Sequence, residues 1–316
     1  MDHPRFRQYA WFFVAYLVVV ILFGAWVRIE GAGAGCGNHW PTCNGDVIPQ
    51  APGEKTIIEF THRVTSGLCG IFALILVVWS WRVSPRVFWA SLVTLVFVML
   101  EGFIGAVLVK KELVAGDASL SRAVVISLHL VNTMLLVAAA ATTAWWASRR
   151  REQAALYVGR GILAAMLLAL LLTNATGAVT ALGDTLFPKQ PALDGSLLAQ
   201  VQSDLSVGQH FLVRLRIVHP MVAVFSALFV VGVFLALQRK KEIHGLPVHR
   251  LLKSGQHAVF TQLALGVVNI LLAAPGWMQI LHLLVAQGVW VIVWLVVLET
   301  WNAQPLPVVT SRSRVA

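Results

Sequence analysis

Eight times this chain runs for about twenty residues with scarcely a charge, at about 10 to 28, 58 to 80, 87 to 108, 123 to 147, 158 to 182, 211 to 237, 254 to 273 and 277 to 300. A hydrocarbon core of roughly 30 Å takes about twenty residues of helix to cross. In lipid only helices and closed barrels satisfy every backbone polar group. Unbroken runs of this length fit helices, so the expected fold is an all-α integral membrane protein with eight transmembrane helices. Composition agrees, since only 12% of the 316 residues are charged, about half the share of a soluble domain. The first run follows Met1-Asp2-His3-Pro4-Arg5, is too long for the apolar core of a signal peptide and meets no A-x-A-like cleavage site, so it is expected to be retained.

The cations set the orientation. Arg5 and Arg7, Arg82 and Arg86, Arg149 to Arg151 with Arg160, Arg239 to Lys241 with Arg250 and Lys253, and Arg312 with Arg314 all fall on one side of an eight-span chain. By the positive-inside rule that side is the cytoplasm, with both termini on it, in an inner or plasma membrane. The formal charge of +10 thus reflects topology and contact with anionic lipid and gives no reason to invoke nucleic acid. Trp11, Trp79, Trp81, Trp89, Trp145, Trp146 and Trp301 gather near the same ends as an aromatic belt. The opposite side carries the long loops, at about 29 to 57, 109 to 122 and 183 to 210. Cys36 and Cys43 share the first of these. In an oxidising compartment they could close a disulfide, the alternative being two unpaired thiols. Cys69 falls inside the second span and reads as a small buried hydrophobe.

The chain also repeats itself. Leu128-His129-Leu130 in the fourth run matches Leu281-His282-Leu283 in the eighth, and Glu101-Gly102-Phe103-Ile104-Gly105-Ala106-Val107 in the third resembles Gln262-Leu263-Ala264-Leu265-Gly266-Val267-Val268 in the seventh. Two copies of a four-span unit insert the same way up, so two parallel-repeat four-helix bundles are expected, over residues 1–150 and 151–316. Arg149 to Arg160 would link them.

Four histidines occupy the even-numbered runs: His62, His129, His219 and His282. Each is between the fifth and the ninth residue of its expected helix, which at 1.5 Å per residue is roughly 7 to 14 Å below the outer surface. An imidazole in lipid is costly unless it binds something. Two from alternate helices of each bundle can clamp a flat cofactor between axial ligands, so two bis-histidine haem sites are expected. The competing reading is interhelical hydrogen bonding, which the repeat register disfavours. Zinc is disfavoured as well, because no cysteine or carboxylate shares that depth in both halves and structural zinc sites want four protein ligands. Both haems would sit near the outer face, which argues against electron transfer across the bilayer.

One position separates the halves. Glu59 precedes His62 by one helical turn, and the matching position before His219 is Arg216. A carboxylate beside a haem edge could serve as general base or stabilise a developing cation; the alternative is that it complements the helix N-terminus. Arg28, Arg63, Arg122, Arg214 and Arg216, near the outer ends, are candidates for pairing with propionates, or else snorkel to the interface. Glu101, opposite Gln262 in the repeat, is read as a buried interhelical hydrogen-bonder in preference to a proton relay. The 184–209 segment is too polar to span and is a candidate lid for the second site.

Gly24-Ala25-Trp26-Val27-Arg28 with its Gly-rich turn, Cys36, Trp40-Pro41-Thr42-Cys43-Asn44-Gly45, Ile48-Pro49 and Glu59-Phe60-Thr61-His62-Arg63 together resemble the haem A synthase family of membrane oxidoreductases. The resemblance covers nearly the whole chain, and its specific part is the cysteine loop joined to E-x-x-H-R. It implies conversion of haem O to haem A, one porphyrin methyl becoming a formyl group by successive hydroxylations with oxygen from water. It further implies that His62 and His129 ligate haem O, that His219 and His282 ligate a resident haem b, and that Glu59 is the catalytic carboxylate. Cys36 and Cys43 match the family's loop pair; a second pair found in some members is missing from this sequence. Expected partners are haem O, the farnesyltransferase that makes it, an electron acceptor, membrane lipid and a further copy of the chain. Two other classes stay open: a non-catalytic dihaem electron carrier, and a haem carrier or chaperone.

Overall fold

The computed structural model describes residues 3–148, 158–189, 197–240 and 247–301. Arg149 to Arg151, Lys241, His244, Arg312, Arg314, the expected boundary at 150 and the middle of the 184–209 segment lie outside them. The long helices are α1 (Pro4–Ile29), α2 (Glu54–Ser80), α3 (Pro85–Lys110), α4 (Leu120–Ser148) and α5 (Arg160–Leu186). They are followed by the short α6 (Leu197–Asp204) and α7 (Phe211–Arg214), then α8 (Val218–Gln238), α9 (Pro247–Leu271) and α10 (Gly276–Thr300). No strand occurs among the described residues.

Seven segments are long and apolar enough to cross a membrane: α1 to α5, Phe211–Gln238 and α10. This is a multi-pass helical membrane protein. Large apolar side chains such as Val78, Met99, Phe103, Phe225 and Leu228 stay exposed on its flanks, as a lipid-facing surface requires. The eighth expected span, α9, is a helix of 25 residues packed against α8 and α10, but it falls short of those seven in apolar length because His249, Arg250, Lys253, Gln256 and His257 crowd its first half.

The sixth expected run is not one continuous helix. It breaks into α7, a 3-10 turn at Leu215–Ile217 and then α8, which leaves His219 as the second residue of α8. Pro220 explains the break: it lacks the N–H that would meet the carbonyl one turn earlier, at Arg216, and its ring crowds that carbonyl.

Helix α4 holds the molecule together. Leu136, Ala140 and Ala144 belong to a core shared with α1, α2 and α3, whereas Met134, Val137 and Ala138 belong to a second core with α5, α8, α9 and α10. The run Ala138 to Ala144 is buried throughout, and small side chains allow such close helix approach in membranes. Indole donors fix α10 to it: Trp290 Nε1 to the Met134 carbonyl at 2.7 Å and Trp294 Nε1 to Thr142 Oγ1 at 2.7 Å. Cys69 is buried in the first of these cores.

Candidate functional site

A cavity of about 1400 Å³ occupies the end of the helices that carries the long loops, and all four histidines line it, with Glu59, Glu101, Arg28, Arg63, Arg122 and Arg216. It exceeds the roughly 300–1,000 Å³ of a pocket for one drug-sized molecule, and it is lined on both sides of α4.

In the second half the rings of His219 and His282 lie 6.4 Å apart between centroids, at 88° to each other. Two imidazoles either side of one metal ion have a similar separation: about 2.0–2.1 Å of metal–nitrogen bond and about 1.1 Å to the ring centre on each side give about 6.3 Å. His219 is oriented through Nδ1, 3.1 Å from the Thr173 carbonyl. His282 Nε2 lies 3.1 Å from the Gln262 amide nitrogen.

In the first half His62 and His129 line the same cavity, and the ring of His62 stands edge-on to Phe23 at 5.5 Å. His129 Nδ1 is 3.3 Å from Glu101 Oε1, without the angle of a formed hydrogen bond. The Nδ1 atoms of His62, His129 and His282 are buried without a hydrogen-bond partner, and buried polar atoms in that condition call for a ligand or a functional reason. The facing imidazoles of His219 and His282, the placing of His62 and His129 in the wall of the same cavity, and an apolar chamber rimmed with guanidinium groups fit flat, anionic-edged metal macrocycles.

Two glycines seat these rings. A Cβ on Gly24 of α1 would come within 3.1 Å of His62 Cε1, and one on Gly177 of α5 within 3.0 Å of His219 Cε1. Each opens a Gly-Ala pair, Gly24-Ala25 in α1 and Gly177-Ala178 in α5, a signal that is readable in the sequence.

Glu59 is 3% exposed. One carboxylate oxygen accepts from the Cys36 backbone N–H at 2.8 Å; the other accepts from Arg63 at 3.1 and 2.5 Å. Arg63 in turn donates to the carbonyls of His39 and Thr42, both at 2.7 Å. Cys36 and Cys43 pair in the same loop, their Cα atoms 4.4 Å apart, and Thr56 Oγ1 bonds the Gly35 carbonyl at 2.8 Å. The cysteine loop is therefore clamped directly onto the Glu59 turn.

The other arginines are also engaged with the protein. Arg28 reaches the carbonyl of Ala181 at 2.7 Å, Thr185, and Gln279 at 2.9 Å, joining α1 to α5 and α10. Arg122 holds the carbonyls of Ala115 and Asp117. Arg216 pairs with Asp184 at 2.9 Å and caps the carbonyls of Gly183 and Phe187. The second half is thus not free of acid, although its Glu59 position holds Arg216. Asp184 arrives from α5, a contact no local pattern shows. Asp204, at the end of α6, pairs with Lys189 and lies 3.7 Å from Arg216, which brings the described part of the 184–209 segment over this side of the cavity. Arg214 is exposed and is not among the cavity residues.

Residues 7–294 match the family model of the cytochrome oxidase assembly proteins, COX15-CtaA. The chain belongs to this family. It is 47% identical over 297 residues to proteins named protoheme IX farnesyltransferase from two strains of Thermus thermophilus, a match covering 91% of this chain and 47% of each relative. The chain thus spans about half the length of those relatives. Proteins named heme A synthase match over shorter stretches: 37% identity to that of Alkalihalophilus pseudofirmus, covering 33% of this chain and 36% of the relative, and 41% to that of Geobacillus kaustophilus, covering 32% and 33%. Family membership and the chamber therefore bear on the same part of the chain, since all four histidines fall within the matched residues.

Proposed function

We propose that this protein is a haem A synthase, an oxidoreductase that converts a methyl group of haem O into the formyl group of haem A by successive hydroxylations with oxygen from water. The observation that carries this reading is the convergence of two histidine pairs on one chamber with a buried carboxylate, Glu59, one turn from His62. In it His62 and His129 bind the iron of the substrate haem O, and His219 and His282 bind a resident haem b. Arg28, Arg63 and Arg216 line the rim on which propionates would rest. The resident haem supplies a one-electron relay from substrate to an external acceptor.

Each hydroxylation joins a water oxygen to the methyl carbon and releases two electrons and two protons. Glu59 accepts a proton from the attacking water, and its charge favours the cationic character that develops at the carbon. Arg63 and the Cys36 N–H hold the carboxylate in one orientation, so little reorganisation accompanies the step. The apolar wall keeps bulk water away and strengthens these charges.

The same reading takes α9 as the eighth span, both termini as cytoplasmic, Cys36 and Cys43 as a disulfide in an oxidising compartment, and the halves 1–150 and 151–316 as parallel repeats. The Thermus relatives bear the name of a farnesyltransferase, and a haem O-producing farnesyltransferase is the partner we assign. Pigment extracted from the purified protein and identified by mass tests the function. Haem O or haem A beside haem b is expected; haem b alone would favour an electron carrier, and absence of any haem would overturn the proposal.

A further inference from the structure

The two halves anchor their histidines differently. In each proposed pair one imidazole has its Nδ1 turned to an oxygen behind it, leaving Nε2 for the chamber. For His219 the acceptor is a neutral backbone carbonyl, Thr173, at 3.1 Å. For His129 it is the carboxylate of Glu101, at 3.3 Å. Glu101 is itself held in place: Asn132 donates to Oε2 at 2.5 Å and Thr133 to Oε1. Thr133 also bonds the His129 carbonyl at 2.9 Å, so it ties the acceptor on α3 to the turn of α4 that carries the ligand. The repeat position of Glu101 is Gln262, whose amide lies against Nε2 of His282, the opposite side of the ring.

An acid in the apolar part of a helix is costly and is retained where it does something. A carboxylate behind a metal-bound imidazole fixes the tautomer and makes the ring a stronger donor, and such a contact to the ligand is one of the few levers a protein has on haem potential. We infer that Glu101 is a positioning residue that holds the first-half iron at a lower potential than the second-half iron, so that electrons drawn from the first site run downhill to the second. This inference rests on the histidine assignment made above.

Redox titration of the full-length protein, purified with its haems and followed optically, tests it. In Glu101→Gln an amide oxygen takes the place of the carboxylate oxygen 3.3 Å behind Nδ1 and carries less charge. The first-site midpoint should rise by a tenfold change in the ferric-to-ferrous equilibrium, about 59 mV for one electron, with the second-site midpoint unmoved. Thr133→Val, which removes a donor from Oε1 and leaves more charge facing His129, should move the first-site midpoint the other way. A merely structural role for Glu101 would not give opposite signs. His129→Ala assigns the two waves and separates the failures. If that variant keeps the full haem complement and spectrum, the histidine assignment falls. If it loses the first-site haem while the Glu101→Gln and Thr133→Val midpoints both stay within a twofold change, about 18 mV, the role of Glu101 alone is overturned.

Discussion

The two histidine pairs have similar seats and different surroundings. In each half a glycine of the first helix approaches the imidazole of the next, Gly24 to His62 and Gly177 to His219, within a tenth of an ångström of the same clearance. Around that shared geometry the first half sets two carboxylates, Glu59 and Glu101, and the second sets Arg216 and Gln262 at the matching positions. On the proposed function the backbone would fix where a macrocycle lies, and these few positions would set which site reacts and which relays.

The hardest blow to this contrast is Glu59→Ala. If Glu59 is the base, haem A formation falls by about 10²–10⁴-fold while both haems remain bound, as read by mass analysis of extracted pigment. Undiminished product removes the carboxylate from the mechanism and makes the halves chemically alike.

Cys36→Ser probes the loop that holds Glu59 and has no counterpart in the second half. With a sequence separation of 7, loss of the cross-link destabilises the folded chain by about 2–2.5 kcal/mol on chain entropy. Thermal release of the first-half haem should come at lower temperature, with the second-half haem unaffected. Equal loss from both sites would show that the loop supports the whole molecule.

Gly24→Val and Gly177→Val test whether the sites are separable. A branched side chain forced against either imidazole costs about 1–3 kcal/mol of overpacking, so each variant loses roughly 5- to 150-fold in haem retention at its own site. Absorbance per chain should drop toward half in both. Loss of both haems from one substitution would mean that the chamber behaves as a single unit.

Local patterns were legible in the sequence. Glu59, His62 and Arg63 share one helical turn, and Cys36 and Cys43 share one loop, so their proximity follows from the chain itself. The apolar runs disclosed the long helices, because lipid imposes length and hydropathy on each segment separately. What stayed hidden is non-local. The pairing of Asp184 with Arg216, the reach of Arg28 to Ala181 and Gln279, and the contact of Glu101 with His129 depend on which helices pack together. The break ahead of α8 was hidden by averaging, since hydropathy over 211 to 237 is blind to the single missing N–H of Pro220.

The mildest test concerns Gln262. Its amide now lies 3.1 Å from Nε2 of His282, the nitrogen that would face iron in the proposed second site, and the other ring nitrogen has no hydrogen-bond partner. Iron binding must displace that amide. The contact is then a competitor with the cofactor, and a neutral hydrogen bond contributes only about 0.5–1.5 kcal/mol net. Gln262→Leu should therefore retain the second haem as well as the native chain or up to roughly tenfold better, measured by competition with a soluble haem acceptor. Weaker retention would mean that the amide supports the bound state, and that the second half, like the first, relies on a polar side chain of its third long helix.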